Sequence, residues 1–321
     1  MARRRIPDEL LSTAHIRSQA RAAGDWAEAD RLRVLIEAAG WRIADRGTDF
    51  SLTPATPADV IDGERVRYGS SAAVPSRFEE PATGLATVVL IATDWPDDIA
   101  RALASLRATA PGDTTIVIVA DGPSAEQAAM LEQLDPPVDG TPSHEVIWTS
   151  ERLGQGAATN IGLRRASAPV VIVLDPSLEP TGDIVTPLVR ALDDETVAIV
   201  GGWGTVTDDL RRFEEAPAGD ADAIDGVLQA FRRQDAAARG PLDEGFRSRR
   251  DLDIWWSLAL RDEGEGVPAR RARVVAGLPI VRHERPRGST LADTERDRQD
   301  KRNRYRLIDR FGWRRDLIVP R

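Results

Sequence analysis

Five aliphatic residues in a row, Val170–Leu174, lead directly into Asp175. Successive side chains of a strand point to opposite faces, so a strand with one wet face alternates apolar and polar residues. A run without alternation must be covered on both faces, the condition of an inner strand in an α/β sheet. Similar runs stand at Ala86–Ala92, Thr115–Ala120 and Val197–Gly201, with 145–148 as a shorter strand. The stretches between them have helical character. In 96–108, Ile99, Leu103 and Leu106 share one side behind Pro96 in the first turn. Ser124 and Gln127 have capping-box spacing ahead of a helix to Leu134, and 156–166 and 182–192 read as further helices. This β-α alternation predicts an α/β, doubly wound, mostly parallel sheet.

Ligands bind beyond the carboxyl ends of strands in such sheets. Thr93-Asp94, Asp121-Gly122-Pro123-Ser124 and Asp175-Pro176-Ser177 follow successive strands and are the chemically rich loops. Each alone is also ordinary turn chemistry. Ahead of the sheet, 7–23 and 25–39 read as two helices joined at Gly24 and closed by Gly40. Asp25 serves as N-cap with Glu28 three residues on, and Trp26, Ala29, Leu32 and Ile36 form one apolar stripe. Pro54, Pro57, Pro75 and Pro81 punctuate a stretch without periodicity. The expected organisation is a helical hairpin at 1–53, a linker at 54–84 and the α/β domain at 85–321.

The chain of 321 residues has no cysteine, which excludes disulfides and thiolate chemistry and leaves carboxylates, histidine and backbone groups. A net charge of -9 disfavours a general nucleic-acid binder. No apolar core segment follows MARRRIPDELL, and no apolar run is long enough to span a bilayer, so the expected location is cytoplasmic. The C-terminal TERDRQDKRNRYRLIDRFGWRRDL reads as a basic helix with Tyr305, Leu307, Ile308 and Phe311 on its apolar side. It is expected to close the domain with arginines outward; the alternative is peripheral contact with an anionic membrane. His15 and His144 read as packing or loop residues.

In their order along the chain, TVVLIATDWPDDIARALASL, IVIVADGPS, LGQGAATNIGLRRASAPVVIVLDPSLEP, LQAFRRQ, LDEGF and DLDIWWSLALRDEG resemble family 2 glycosyltransferases with a GT-A fold. The resemblance spans about residues 85 to 315. It implies a Rossmann-like domain that moves a sugar from a nucleoside-diphosphate sugar to an acceptor hydroxyl with inversion, the acceptor being unknown. Carried over position by position, it assigns Thr93, Asp94, Asp121, Gly122, Asn160, Asp175, Arg232 and Arg233 to the nucleotide sugar. Asp175 is the first acid of an Asp-x-Asp motif whose second position holds Ser177. Asp175, Ser177 and His283 are then the implied ligands of Mn²⁺ or Mg²⁺. The alternatives are a diphosphate held by Arg232, Arg233 and Arg282 without metal, and lost activity. Asp253, at a helix start where the family has an acidic predecessor and this chain has Leu252, matches the catalytic base, with Asp243 and Glu244 as the fallback. Of Trp255 and Trp256, one is expected in the core and the other on a sugar face.

Residues 10–52 also resemble the small C-terminal module of cysteinyl-tRNA synthetases. Their mixed charge points to a docking or dimerisation appendage before RNA. The competing function is a non-catalytic GT-A-like nucleotide-binding or scaffold protein whose hairpin recruits a partner such as tRNA.

Overall fold

Wherever the sequence runs continuously aliphatic, the chain forms a strand covered on both faces. The computed structural model describes residues 6–39, 41–46, 49–54, 57–284 and 293–320. It divides into two compact units, Met1–Ala58 and Asp59–Arg321. In the first, α1 (Asp8–Ala22) and α2 (Trp26–Ala38) pack together and are followed by an antiparallel hairpin, β1 (Trp41–Arg46) and β2 (Asp49–Pro54). Leu10, Ala14, Ile36 and Trp41 form its core. The N-cap forms as expected, Asp25 Oδ1 accepting from the Glu28 N–H at 3.1 Å. Trp26 leaves the expected stripe: it is 60% exposed at the first turn of α2, with the Arg21 guanidinium 5.3 Å from its ring.

The second unit contains, in chain order, β3 (Val60–Asp62), β4 (Arg65–Tyr68), β5 (Ala86–Ala92), α3 (Pro96–Thr109), β6 (Thr115–Ala120), α4 (Ala125–Glu132), β7 (Ser143–Thr149), α5 (Gln155–Arg165), β8 (Val170–Leu174) and β9 (Leu178–Pro180). It continues with α6 (Val185–Ala191), β10 (Val197–Gly201), β11 (Gly204–Val206), β12 (Glu214–Glu215), β13 (Gly219–Ala221), β14 (Ala223–Ile224), β15 (Leu228–Arg232), α7 (Arg233–Arg239), α8 (Leu252–Arg261), β16 (Arg271–Val274), β17 (Ile280–Arg282) and α9 (Asp293–Phe311). Among the described residues ten strands make one sheet in the order β13-β16-β10-β15-β8-β5-β6-β7-β4-β3. The run from β8 to β4 is parallel throughout, and β15 lies antiparallel between β8 and β10.

Alternate residues of the inner strands enter different cores. Val89, Val117, Val119, Val171 and Val173 pack with α5, α8 and α9 through Ile161, Trp256, Leu307 and Phe311. Val88, Leu90, Ile116, Ile118, Ile172 and Leu174 pack with α3 and α6 through Leu103, Leu106, Val185 and Leu188. Two-sided coverage is what the missing alternation demanded. The stretch expected as a linker is corrected: β3 and β4 extend the main sheet, β4 pairing with β7 through Arg67↔Trp148 and Tyr68↔Thr149. Its prolines fall outside these strands and do not interrupt the ladder. In α9, Leu307 and Phe311 are buried as expected, whereas Tyr305 points outward. No helix among the described residues is long and apolar enough to cross a membrane.

Candidate active site

Because β5, β6 and β8 are parallel neighbours, the loops beginning at Thr93, Asp121 and Asp175 leave the same edge of the sheet. There Thr93, Trp95, Gln127, Gln155, Asp175, Pro176, Gly226 and Arg249 line a small cleft of about 90 Å³. Asp175 is fixed by its backbone N–H, which donates to Val227 O at 2.8 Å. Its Oδ1 accepts the Ser177 N–H at 2.8 Å, an Asx turn, and its Oδ2 is ion-paired with Arg249.

Asp253 enters from the first turn of α8. Its Oδ2 accepts the Gly226 N–H at 3.0 Å and its Oδ1 the Ile254 N–H at 2.9 Å. Burial pushes its carboxyl up to about 6, Asp225 adds repulsion, and the Gly226 N–H opposes the rise. Gly226 is required by close approach: a Cβ there would lie 2.7 Å from Arg249 Cδ and 2.9 Å from Asp253 Cβ. The glycine thus lets a guanidinium and a perturbed carboxyl sit side by side.

The segment that delivers Arg249 is held along the start of α5. Gly156 N–H donates to Phe246 O at 3.0 Å and Gln155 N–H to Arg247 O at 3.3 Å, while the Arg247 side chain bonds Leu153 O. Asn160, expected on the nucleotide, instead braces this segment: its amide donates to Leu242 O at 3.0 Å and accepts the Leu242 N–H at 2.9 Å. It also donates to Glu244 Oε1 at 3.0 Å, and Ser71 Oγ bonds the same oxygen. Asp243 pairs with Arg306 at 2.7 Å and accepts the Gly245 N–H. Both fallback acids are therefore engaged in holding the loop.

Several expected site residues lie elsewhere. Asp121 is 2% exposed, its oxygens accepting the Leu153 N–H at 2.6 Å and the Gly154 N–H at 2.9 Å, so it ties the β7–α5 loop to the sheet edge beneath the cleft. Burial raises its carboxyl and those N–H groups counteract the rise. Gly122, at φ +52°, packs against the Arg152 backbone, and Arg152 forks onto Asp94 at 2.6 and 2.9 Å. Arg232 and Arg233 are at the wrong end of the sheet. In the antiparallel register Leu228 faces Leu174 but Arg232 faces Val170, which at about 3.3 Å per residue is roughly 13 Å away. Arg232 bonds the Val197 and Asp194 carbonyls at 2.7 and 3.0 Å, and Arg233 the Glu80 carbonyl at 3.0 Å.

Trp255 and Trp256 are both buried, with rings stacked 6.4 Å apart, on a helix packed against β10, β14, β16, α7 and α9, so neither ring is left to face a sugar. Arg249, Asp225, Trp95 and Gln127 were missed. The triple arginine of FRSRRDLD, just ahead of the expected base, was the available signal for the first.

The implied divalent cation does not fit the side chains as placed. Asp175 already holds a guanidinium, Ser177 is a neutral buried residue, and His283 Nε2 bonds Glu179 at 2.6 Å. The pairing of β17 with β9 does bring His283 to the Asp175 turn, its N–H donating to Ser177 O at 2.9 Å, while its Nε2 is bonded to Glu179. Among the described residues no group of three or more His, Cys, Asp or Glu is arranged to hold a metal ion.

Residues 87–238 match the family model "Glycosyl transferase family 2". No curated protein matches the chain. Among solved structures it is similar to GalNAc-T7 with UDP, GalNAc and Mn²⁺, at 17% identity and a TM-score of 0.55 over 71% of this chain and 48% of that one. Weaker likenesses are to the mannosyltransferase PcManGT from Pyrobaculum calidifontis in complex with GDP-Man and Mn²⁺ (17% identity, TM-score 0.47, 67% of this chain and 61% of that one) and to S. aureus TarS 1-349 (13%, 0.47, 70% and 72%). The chain thus spans about half the length of the GalNAc-T7 structure and three fifths of the mannosyltransferase. Its sheet, its cleft at the carboxyl edge and its structural likeness agree on a GT-A fold, and within that fold residues 87–238, just under half of the chain, match the glycosyl transferase family 2 model.

Proposed function

We propose that this chain transfers a sugar from a nucleoside-diphosphate sugar to an acceptor hydroxyl with inversion. The observation that carries this reading is the placement of Arg249, Asp175 and Asp253 around Gly226 at the carboxyl edge of a family 2 sheet. In a single displacement the acceptor oxygen bonds to the anomeric carbon as the bond from that carbon to the β-phosphate oxygen breaks. The acceptor proton passes to Asp253, and the nucleoside diphosphate leaves with the bonding pair. Arg249 faces the developing negative charge, where a preorganised donor contributes most. A carboxyl held near 6 is ionised at neutral pH yet more basic than an ordinary aspartate, which suits a general base.

The test is a panel of nucleotide sugars with simple hydroxyl acceptors, scored by nucleoside diphosphate release and by the anomeric configuration of the product. Release with an inverted product supports the reading, and a retained configuration overturns the displacement. A donor-binding protein without transfer is the second reading, favoured by Ser177 in place of an acid. It predicts calorimetric binding of a donor with no release. For Met1–Ala58, paired basic residues favour a docking appendage over RNA: Arg17 bonds Asp45 at 2.7 Å and Arg31 bonds Glu28 at 2.7 Å. The full chain is expected not to shift tRNA in a gel at physiological salt, and a clear shift would reverse that assignment.

A further inference from the structure

We infer that Arg249 is the cation that takes the donor's diphosphate, so that nucleoside diphosphate binding by this chain does not require a divalent metal. The inference rests on the donor-binding reading above and goes beyond it. Asp175 occupies the position from which a carboxylate would recruit a metal, yet both of its oxygens are engaged, Oδ1 by the Ser177 N–H at 2.8 Å and Oδ2 by Arg249. A dication bound to the same carboxylate would have to displace a guanidinium or sit against its like charge. The other members of the expected ligand set do not compensate. Ser177 brings no charge, and the Nε2 of His283 is taken by Glu179, which also lies 3.8 Å from Arg101.

Arg249 itself has the attributes of a built anion site. It lines the cleft, and the missing side chain of Gly226 provides the space its stem occupies. Its carbonyl accepts the Leu252 N–H at 3.0 Å, fixing its backbone to the start of α8. Its side chain is 34% exposed. Among the described residues Arg249 bonds Asp175 through Nη1, leaving Nε and Nη2 as donors; a planar guanidinium can hold a carboxylate on one side and a phosphate on another. Asp175 thereby becomes a positioning residue that aims the guanidinium.

The experiment is calorimetric titration of the full chain with UDP and with GDP, each in EDTA and in Mn²⁺, alongside the matching monophosphate. At least one diphosphate is expected to bind in EDTA with a Kd within about threefold of its Mn²⁺ value. Arg249→Ala is expected to weaken that diphosphate roughly 10- to 100-fold while leaving the monophosphate within about threefold, with Arg249→Lys recovering part of the loss. Should Arg249→Ala unfold, as judged by circular dichroism, Arg249→Gln and the metal comparison on the unaltered chain carry the same test. Diphosphate binding only in Mn²⁺, or equal binding by a folded Arg249→Ala chain, overturns the role of Arg249 and leaves the donor-binding reading intact. No binding of either diphosphate in either buffer overturns both.

Discussion

Replacing Asp253 by asparagine separates its burial from its chemistry. In the folded chain its carboxyl titrates at about 6, against an ordinary value of 3.8. Between those values the native state holds a proton that the unfolded chain has released, so rising pH destabilises the fold there. The full gap corresponds to about 3 kcal/mol, reached once pH has passed the folded value. The substituted amide would not ionise, and its weaker acceptance of the Gly226 and Ile254 N–H groups is a pH-independent offset. Urea unfolding followed by tryptophan fluorescence should therefore show the Asp253→Asn chain gaining about 2 kcal/mol on the parent between roughly pH 4.5 and pH 7.5. Transfer should fall by about 10²- to 10⁴-fold. The parent's kcat/KM should rise with pH up to about 6 and then level, because the base must be ionised. A stability difference that stays flat across the range refutes the desolvated carboxyl, and undiminished turnover in Asp253→Asn removes this residue from the base role.

Three other substitutions probe the site and its supports. Arg233→Met strips the Glu80 and Arg77 carbonyls of a buried charged donor and should lower urea stability by about 2–3 kcal/mol. Its nucleotide affinity should stay unchanged, and a large affinity loss in the folded variant would return Arg233 to the site. Gln127 is 0% exposed and lines the cleft, yet neither atom of its side-chain amide has a partner among the described residues. Gln127→Leu should leave stability equal or raise it by about 1 kcal/mol while weakening donor binding roughly tenfold by calorimetry; a loss of stability with unchanged binding would show that the amide serves the fold instead. Gly226→Ala places a methyl within 2.9 Å of both Arg249 and Asp253. It should cost about 1–3 kcal/mol in urea and weaken nucleoside diphosphate binding, whereas wild-type affinity would mean that the cleft does not use these two side chains as placed.

The inner sheet was legible because burial on both faces abolishes alternation, a property written in the order of residues; the span of β10 was anticipated to the residue. Strands β3 and β4 carried no such mark. Ile61 is 78% exposed at the sheet's edge, and proximity to prolines made the segment look like connection. Carboxylates at strand ends could be located from topology, but a sequence does not state which groups will meet them. Asp121, Asp175 and Asp253 were alike on the page. The fold gives the first two backbone N–H groups and burial, the second a guanidinium from 74 residues away, and the third burial beside another carboxylate. Arg232 and Arg249 show the same point from the cationic side. One follows an aliphatic strand and seemed well placed, but an antiparallel register carries it to the opposite edge. The other sits in an arginine-rich loop and is brought to the cleft by carbonyls paired with the first turn of α5. Strand ends fix where charge can gather, and loop pairing decides which charges meet; that is why the edge of the site was readable and its central ion pair was not.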